Sequence, residues 1–456
     1  MAYTKKRGMA VDGGEKFDVM TSSPVERLVL RMALPPVVIM LISAMYNAAD
    51  TYFVGYLGTT ETAAVGVSFS LMNVIQAAGF LFGHGAGNYI SRALGARNGA
   101  DAEKMAATGF FTAFFAGSVI TAAGLVFLSP LALALGATPT ILPYALSYLR
   151  FILLGAPFMV SALTINNILR FQGNSFLGMI GMTSGALLNV FLDPLFIFTF
   201  GMGISGAALA TMISQTVSCV LLFIINRTGK QNVPILFRNF SPGKTAYLDI
   251  LRGGSPSLLR QSVMSLAAVC LNRAAGPYGD AVIAAVSIVN RVVMISGSAV
   301  IGLGQGFQPV CGFNYGAKLY GRVKRAFWFC LAVSSVILAV LSVLGFLFAP
   351  AIIAAFRKDD AGVIRVGALA LRLQSLTLPL TGWIVLNNMM LQTMGKALPA
   401  NILAFARQGF FLIPLLFTLT PLLGVTGIVL SAPVADLCTF VLALPLGIMA
   451  LKRYLG

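Results

Sequence analysis

Long apolar runs separated by short polar segments recur along almost the whole chain. Each run holds about 20 or more residues, which is enough for an α-helix to cross the hydrocarbon of a bilayer. The pattern therefore predicts an all-α integral membrane protein. Twelve spans are predicted, at residues 32–54, 62–88, 106–128, 144–168, 176–200, 203–226, 251–275, 281–309, 327–349, 364–389, 398–421 and 424–450.

The connections between the predicted spans differ in charge. Lys and Arg gather in alternate connections, among them Arg170, the segment 227–244 and the segment 318–325, whereas the intervening connections carry few. Basic residues orient membrane proteins by remaining on the cytoplasmic side, so both termini are predicted to be cytoplasmic. Residues 1–24 are polar and are predicted to form a mobile cytoplasmic tail.

Composition narrows the class further. The chain is 58% hydrophobic and 10% charged, against roughly a quarter charged in soluble domains. Its net charge of +17 comes from short loops and not from one basic stripe, which argues against nucleic-acid binding. The sequence has one histidine, His84, five scattered cysteines, and no nucleophile–base motif, so neither an enzyme nor a cofactor is indicated.

The chain also repeats itself at an offset of 221 residues. Asn166-Asn167 then matches Asn387-Asn388, and Gly95-Ala96-Arg97 matches Gly316-Ala317-Lys318. Because six spans return the chain to its starting side, the halves share one orientation, as in transporters whose halves rock around a central site. The predicted organisation is a tail (1–24), an N-lobe (25–226), a cytoplasmic linker (227–249) and a C-lobe (250–456).

Two acidic residues lie inside predicted spans of the first half. Asp50 and Asp193 each lie eight residues before a glycine turn, which places each about 12 Å below the outer surface. Asn189 precedes Asp193 by one helical turn, and Thr211 lies at a matching depth. An acid within hydrocarbon is costly and by default indicates a functional site.

These four side chains would suit a hard cation such as Na⁺, and two close carboxylates could instead share a proton. A structural alternative remains open, in which Asp50 caps a helix end and Asp193 bonds a neighbouring helix. The second half carries Arg260 and Arg291 inside predicted spans. They either bond exposed backbone carbonyls or line a water-filled cavity and contact substrate. Arg407 and Asp436 match in depth and could form a structural ion pair.

Three stretches of the chain resemble a known family, the multidrug and toxic compound extrusion (MATE) transporters, particularly the MepA/DinF-like bacterial branch. They are Asp50-Thr-Tyr-Phe-Val-Gly-Tyr-Leu-Gly58, Asn189-Val-Phe-Leu-Asp-Pro194, and Gly304-Gln-Gly-Phe-Gln-Pro309 continuing through Gly312-Phe-Asn-Tyr-Gly-Ala317. The resemblance extends from about Pro24 to the end of the chain.

The resemblance implies a V-shaped pair of six-helix bundles in the bacterial inner membrane. Such a protein exports small amphipathic drugs, mainly organic cations, against H⁺ or Na⁺ and so supports drug resistance. The resemblance assigns Asp50, Asn189, Asp193 and Thr211 to the N-lobe cation site. It places Asn166 on the same cavity and makes Pro35 the point where the first helix bends. No cofactor beyond the coupling ion is implied, and a monomer in the lipid bilayer is expected.

One rival function shares the same architecture. A flippase for a lipid-linked saccharide or an amphipathic lipid would need a basic cavity between the halves, to which Arg260 and Arg291 could contribute. Two acids confined to the first half instead favour antiport. The sequence leaves the physiological substrate and the coupling ion open.

Overall fold

The computed structural model describes residues 11–228, 233–357 and 360–455, and this part of the chain is helical with no strand. The helices of the first half are α1 (Val11–Ser22), α2 (Val25–Gly55), α3 (Thr59–Gly95), α4 (Gly99–Val126), α5 (Leu128–Ala134), α6 (Leu142–Phe171), α7 (Ser175–Pro194) and α8 (Ile204–Thr228). Those of the second half are α9 (Lys244–Ala275), α10 (Asp280–Gly316), α11 (Tyr320–Leu347), α12 (Ala349–Phe356), α13 (Ala361–Thr393), α14 (Ala397–Phe405), α15 (Ile413–Leu423) and α16 (Val425–Arg453). Single π-helical segments, Leu195–Thr199 and Ala406–Leu412, follow α7 and α14.

The predicted fold class is confirmed. Within the described residues, eleven helical segments are long and apolar enough to cross a membrane. They coincide with eleven of the twelve predicted spans. The remaining span, 251–275, falls within α9, which is less apolar because it carries Arg252, Arg260, Gln261 and Arg273. Neighbouring helices cover part of α9, since it packs along α3 of the other half and along α14.

Helices α2–α8 form one bundle, the first bundle, and α9–α16 form the second bundle. In the first bundle α6 lies at the centre, where it contacts α3, α4 and α8. In its most apolar stretch, 78% of the residues are buried. In the second bundle α13 holds the corresponding place against α10, α11 and α16. The bundles meet mainly along three helix pairs, α3 with α9, α2 with α10 and α3 with α10.

The two bundles converge at one end, the basic end, formed by the turns at 96–98, 172–174, 317–319 and 394–396. Glycine permits the close approach there, because a Cβ on Gly306 of α10 would lie 2.6 Å from the Cβ of Ala33 on α2. Asn88 Nδ2 donates to the carbonyl of Gly253 across the interface at 3.2 Å, and Arg92 Nη1 donates to the carbonyl of Thr393 at 2.5 Å.

At the opposite end, no hydrogen bond joins the bundles within the described ranges. Hydrogen bonds therefore join the bundles at the basic end. The space between the bundles toward the opposite end is called the cleft below.

Part of the predicted N-terminal tail, residues 1–24, is helical in the structure. Residues 11–22 form α1, and the side chain of Met20 is 2% exposed in the core of the second bundle. Asn314 Nδ2 of α10 donates to the Met20 carbonyl at 3.1 Å, and the Arg97 guanidinium lies 4.3 Å from the centre of the Phe17 ring. These contacts involve distant parts of the chain, so local polarity did not reveal them. Residues 1–10 lie outside the described part.

Helices α8 and α9 extend into the predicted linker, residues 227–249. α8 extends to Thr228 and α9 begins at Lys244. Between them, Val233 and Ile235 are buried against the first bundle, and the backbone N–H of Ile235 donates to Asn226 Oδ1 at 2.9 Å. Residues 229–232 of this connection lie outside the described ranges.

Candidate cation site

Helix α7 brings Asn189 and Asp193 onto one face because they are four residues apart. This face packs closely on α8, since a Cβ at Gly185 would lie 2.7 Å from the carbonyl oxygen of Ser214. α7 ends at Pro194 and continues in a π-helical turn, a distortion that often accompanies functional sites. Asn189, Asp193 and Thr211 of α8 are all buried, at 1%, 0% and 3% exposure.

The Asn189 amide connects the group. Its Nδ2 donates to Asp193 Oδ1 at 3.2 Å and lies 3.4 Å from Thr211 Oγ1. Three of the four residues that the sequence predicted to lie in one layer therefore touch. Both donor hydrogens of the amide are engaged by these two contacts, which leaves the carbonyl oxygen of Asn189 available for another partner.

Asp50 reaches the same region from α2, which packs against α7. Its side chain is 8% exposed and interacts electrostatically with Asp193, although no hydrogen bond joins the two carboxyl groups. Asp50 lies inside α2, five residues before its end at Gly55, and Tyr56 occupies the C-cap position. The structural alternative in which Asp50 caps the helix does not fit this position.

Two tyrosines that sequence reasoning missed complete the surroundings. The hydroxyl groups of Tyr46 on α2 and Tyr148 on α6 lie near Thr211 and the two acids. Tyr148 is 1% exposed. Tyr46 precedes Asp50 by four residues, so the shared helix face was a signal in the sequence. Tyr148 lies nearly 100 residues from Asp50, and only the packing of α6 against α8 brings it to the site.

The site contains buried acceptor oxygen atoms that receive no hydrogen bond. Asp50 Oδ1, Asn189 Oδ1 and Asp193 Oδ2 are buried and accept no hydrogen bond from the described residues. Buried acceptors without donors are costly, and a proton or a hard cation would satisfy them. The donor set is made of oxygen atoms alone, and no cluster of three His, Cys, Asp or Glu side chains occurs in the described ranges. The chemistry therefore fits H⁺ or Na⁺ and not a transition metal.

The second bundle also contains a buried acid, but there the acid forms an ion pair. Arg407, in the π-helical segment after α14, donates to Asp436 of α16 through Nε and Nη2. Gln374 Nε2 and Thr377 Oγ1 of α13 donate to Asp436 Oδ2 at 2.5 and 3.3 Å. The predicted Arg407–Asp436 pair is confirmed. Asp436 is saturated by this chain's own donors, whereas Asp50 and Asp193 are not.

The other predicted site residues lie apart from this group. Arg260 is partly buried, and its Nη1 lies 3.4 Å from Asn388 Oδ1. Arg291 is exposed and has no hydrogen bond or ion pair with the described residues. Asn166 is partly buried on α6 beside Gly178 of α7. Pro35 is buried in α2, which is helical from Val25 to Gly55.

Arg170 is a correction to the sequence analysis, which placed it in a connection. It lies in the last turn of α6 at 2% exposure and crosses the interface between bundles. Its Nη1 donates to the Gln305 carbonyl at 3.0 Å, and its Nη2 donates to Asn167 Oδ1 at 2.6 Å. Beside it, His84 Nδ1 and Ser257 Oγ are 2.8 Å apart across the same interface. The span boundary was set three residues short because Arg170 is charged.

Comparison with known proteins identifies the family. The MatE family model matches residues 35–195 and 256–418, one match in each half. The multidrug export protein MepA of Staphylococcus aureus (strain N315) is 29% identical over 423 residues, covering 92% of this chain and 93% of MepA. The protein of the same name from Staphylococcus saprophyticus is also 29% identical, over 424 residues and the same shares of both chains.

Solved structures agree with the sequence relatives. An outward-facing multidrug resistance MATE transporter of the MOP superfamily aligns with a TM-score of 0.90 and 27% identity, over 96% of this chain and 98% of that chain. A MOP superfamily transporter from Pyrococcus furiosus, described as having a binding pocket of reverse polarity, gives the same values. Both halves match the family model, and the whole fold matches its structures. The chain belongs to the MatE family of membrane transporters.

Proposed function

We propose that this chain exports small amphipathic organic compounds, mainly cations, in exchange for H⁺ or Na⁺. The observation that supports the proposal is the buried set of unpaired oxygen atoms on Asp50, Asn189 and Asp193. The relatives named as multidrug export proteins support the substrate class. The coupling ion would bind among these oxygen atoms in the first bundle.

The basic end would face the cytoplasm, in accordance with the positive-inside rule. The bundles meet at that end, so the cleft would open to the outside in the conformation described here. Both ends of the chain would then be cytoplasmic, as the sequence analysis expected. Drug would leave through the open cleft, and the coupling ion would enter by the same route.

Exchange requires that the ion and the drug differ in their affinity for the two conformations. When both are ionised, Asp50 and Asp193 would carry two negative charges at close range in a buried site. Binding of a cation there would lower their mutual repulsion and let α2 and α7 approach. A cationic drug in the cleft would lose part of its electrostatic attraction at the same moment, which couples ion entry to drug release.

The test is the uptake of a fluorescent lipophilic cation into inside-out membrane vesicles. Wild type is expected to take up the cation when a pH gradient or a Na⁺ gradient is imposed, and the effective gradient identifies the ion. Asp193→Asn is expected to lower uptake at least tenfold, since a neutral amide cannot bind the ion in the same way.

The matched control is Asp101→Asn, an exposed acid of the same bundle, which is expected to transport as wild type does. Equal uptake by Asp193→Asn and wild type, with both proteins inserted in equal amounts, would refute coupling through this acid. No uptake by wild type under either gradient would refute cation export.

A second function, the flippase, is favoured by the polarity of the cleft floor. Arg170 and Arg260 both interact electrostatically with His84, and neither forms an ion pair with a described carboxylate. These positive charges would attract the phosphate of a lipid-linked saccharide. Flipping of a fluorescent phosphate-bearing lipid that Arg260→Gln abolishes, without cation uptake by wild type, would favour this function over antiport.

A further inference from the structure

A groove at the basic end lies outside the cleft and has no part in the transport scheme above. It has a volume of about 390 Å³ and is lined by Pro24, Val25, Leu319, Gly321, Arg322 and Arg325. Its two walls come from different bundles, because Pro24 and Val25 begin α2 whereas the other residues belong to the turn between α10 and α11 and to α11 itself.

The Arg322 guanidinium is held in a fixed orientation within this groove. Its Nε donates to Asn314 Oδ1 at 2.9 Å, and its Nη2 donates to the Ser23 carbonyl at 2.6 Å. Among the described residues, no acceptor is bonded to its Nη1. Arg322 forms no ion pair with a described carboxylate, and Glu26, which pairs with Arg325, acts on it from a greater distance.

Arg325 adds a second guanidinium to the groove. Its Nε pairs with Glu26 Oε1 at 2.6 Å, while its two Nη atoms make no hydrogen bond to the described residues. Glu26 offsets one of the two charges, which leaves a net positive charge in the groove. Lys318 and Lys324 lie on the same turn and helix and raise the local positive potential further.

The internal repeat shows that the turn does not require these arginines for its fold. At the offset of 221 residues, Asp101 corresponds to Arg322 and Lys104 corresponds to Arg325. Arg97 and Lys318 adopt the same left-handed backbone, with φ of 57° and 60°, so the two turns share their conformation. In the first bundle Asp101 and Lys104 pair with each other at 3.9 Å, which leaves no net charge. The conformation of the turn therefore does not require the positive charge, which is a separate feature of this groove.

The groove lies at the level of lipid headgroups, because α2 and α11 both begin there. Farther along these helices, toward the membrane centre, Leu30, Leu34 and Trp328 are exposed by 50%, 65% and 52%. Exposed Leu and Trp side chains at this level are suited to acyl chains and to the bilayer interface. A ligand with a phosphate and an apolar tail would meet both surfaces.

We propose that this groove binds the phosphate of an anionic phospholipid, with its acyl chains along the exposed faces of α2 and α11. Guanidinium groups match phosphate oxygens in geometry and charge. Basic pockets between membrane helices on the cytoplasmic side bind such headgroups. Because the walls come from both bundles, the bound lipid would stabilise the closed basic end.

The test is a native mass spectrometry titration of the full-length protein in neutral detergent. Phosphatidylglycerol is expected to bind one site more tightly than phosphatidylcholine does. Arg322→Gln is expected to weaken that site about fivefold, the contribution of one basic residue near a membrane surface. Arg325→Gln, which changes an exposed side chain, is expected to weaken it as well. The control is Arg227→Gln, an exposed arginine at the same end of the first bundle, which should bind phosphatidylglycerol as wild type does.

Three results would overturn the proposal. The first is equal affinity of wild type for the two lipids, and the second is wild-type affinity for phosphatidylglycerol in both arginine variants. The third is full displacement of phosphatidylglycerol by excess inorganic phosphate, which would show a phosphate site without a lipid contribution. Unchanged thermal unfolding of the variants in phosphatidylcholine micelles would show that any loss of binding is not a loss of fold.

Discussion

Asp193 and Asp436 are both fully buried carboxylates, yet they differ in their neighbours. Asp436 receives donors from Arg407, Gln374 and Thr377, so its charge is balanced within the chain. Asp193 receives one neutral donor from Asn189 and lies close to a second acid. The first arrangement is suited to stability and the second to binding a cation.

This difference predicts that the stability of the fold depends on the counter-charge beside Asp436. Arg407→Met would leave Asp436 buried without a counter-charge and should lower the free energy of unfolding by about 3 kcal/mol, the lower end for breaking a buried pair because Arg407 is 33% exposed. Adding Asp436→Asn to Arg407→Met should recover part of this loss. Denaturant titration in mixed micelles measures both.

Arg365→Met serves as the control for these variants, because Arg365 is exposed on α13 and has no hydrogen bond or ion pair within the described residues. A change below about 0.5 kcal/mol is expected there. If the double variant were no more stable than Arg407→Met, the pair would not be the source of the loss.

At the scale of single helices, α10 contains two glycines in contrasting surroundings. Gly306 lies against the backbone of Ala33 on α2, at the interface of the two bundles, whereas no atom lies within 4 Å of a Cβ built on Gly297. Substituting alanine at each of these two positions therefore separates the effect of interface packing from that of helix propensity.

Gly306→Ala is expected to push α2 and α10 apart at the basic end and to lower transport in the vesicle assay severalfold. Gly297→Ala should leave transport unchanged and can raise helix stability slightly, since alanine is the better helix former. Wild-type transport by Gly306→Ala would show that the two helices separate there without functional cost.

At the scale of the molecule, the hydrogen bonds between the two bundles in the described part of the chain all lie toward the basic end. Arg170 on α6 contributes two of them, to the Gln305 carbonyl at 3.0 Å and to Gln308 Oε1 at 3.2 Å. Hydrogen bonds from a charged donor in a buried site stabilise a contact by about 1.5–3 kcal/mol. Their loss should shift the balance between the two conformations.

Arg170→Met is therefore expected to raise the population that is open at the basic end by at least about tenfold, the factor for the loss of one such bond. Spin labels at Ala100 and Leu398, which are exposed at the starts of α4 and α14 in different bundles, would report this as a longer distance in pulsed electron resonance. Arg150→Met, at an exposed position of the same helix, should leave the distance distribution unchanged. An unchanged distribution in Arg170→Met would contradict the role of these contacts.

The sequence by itself determined the long apolar helices, their repeat and the shared helix face of Asn189 and Asp193. These features depend on local periods, since an apolar run of sufficient length forms a spanning helix and residues four apart share a face. The Arg407–Asp436 pair could also be predicted from the sequence, because the rise per residue of a helix fixes the depth of each residue in the membrane. Depth alone leaves the rotation of each helix about its axis undetermined.

Only the tertiary structure decided what that rotation brings together. It placed Tyr148 beside Thr211, turned Arg170 into the interface between bundles, and docked α1 against α10. It also showed that the two acids of the first bundle lie near each other without a shared hydrogen bond. Each of these outcomes joins residues far apart in the chain, where packing between helices, and not local periodicity, fixes which side chains meet.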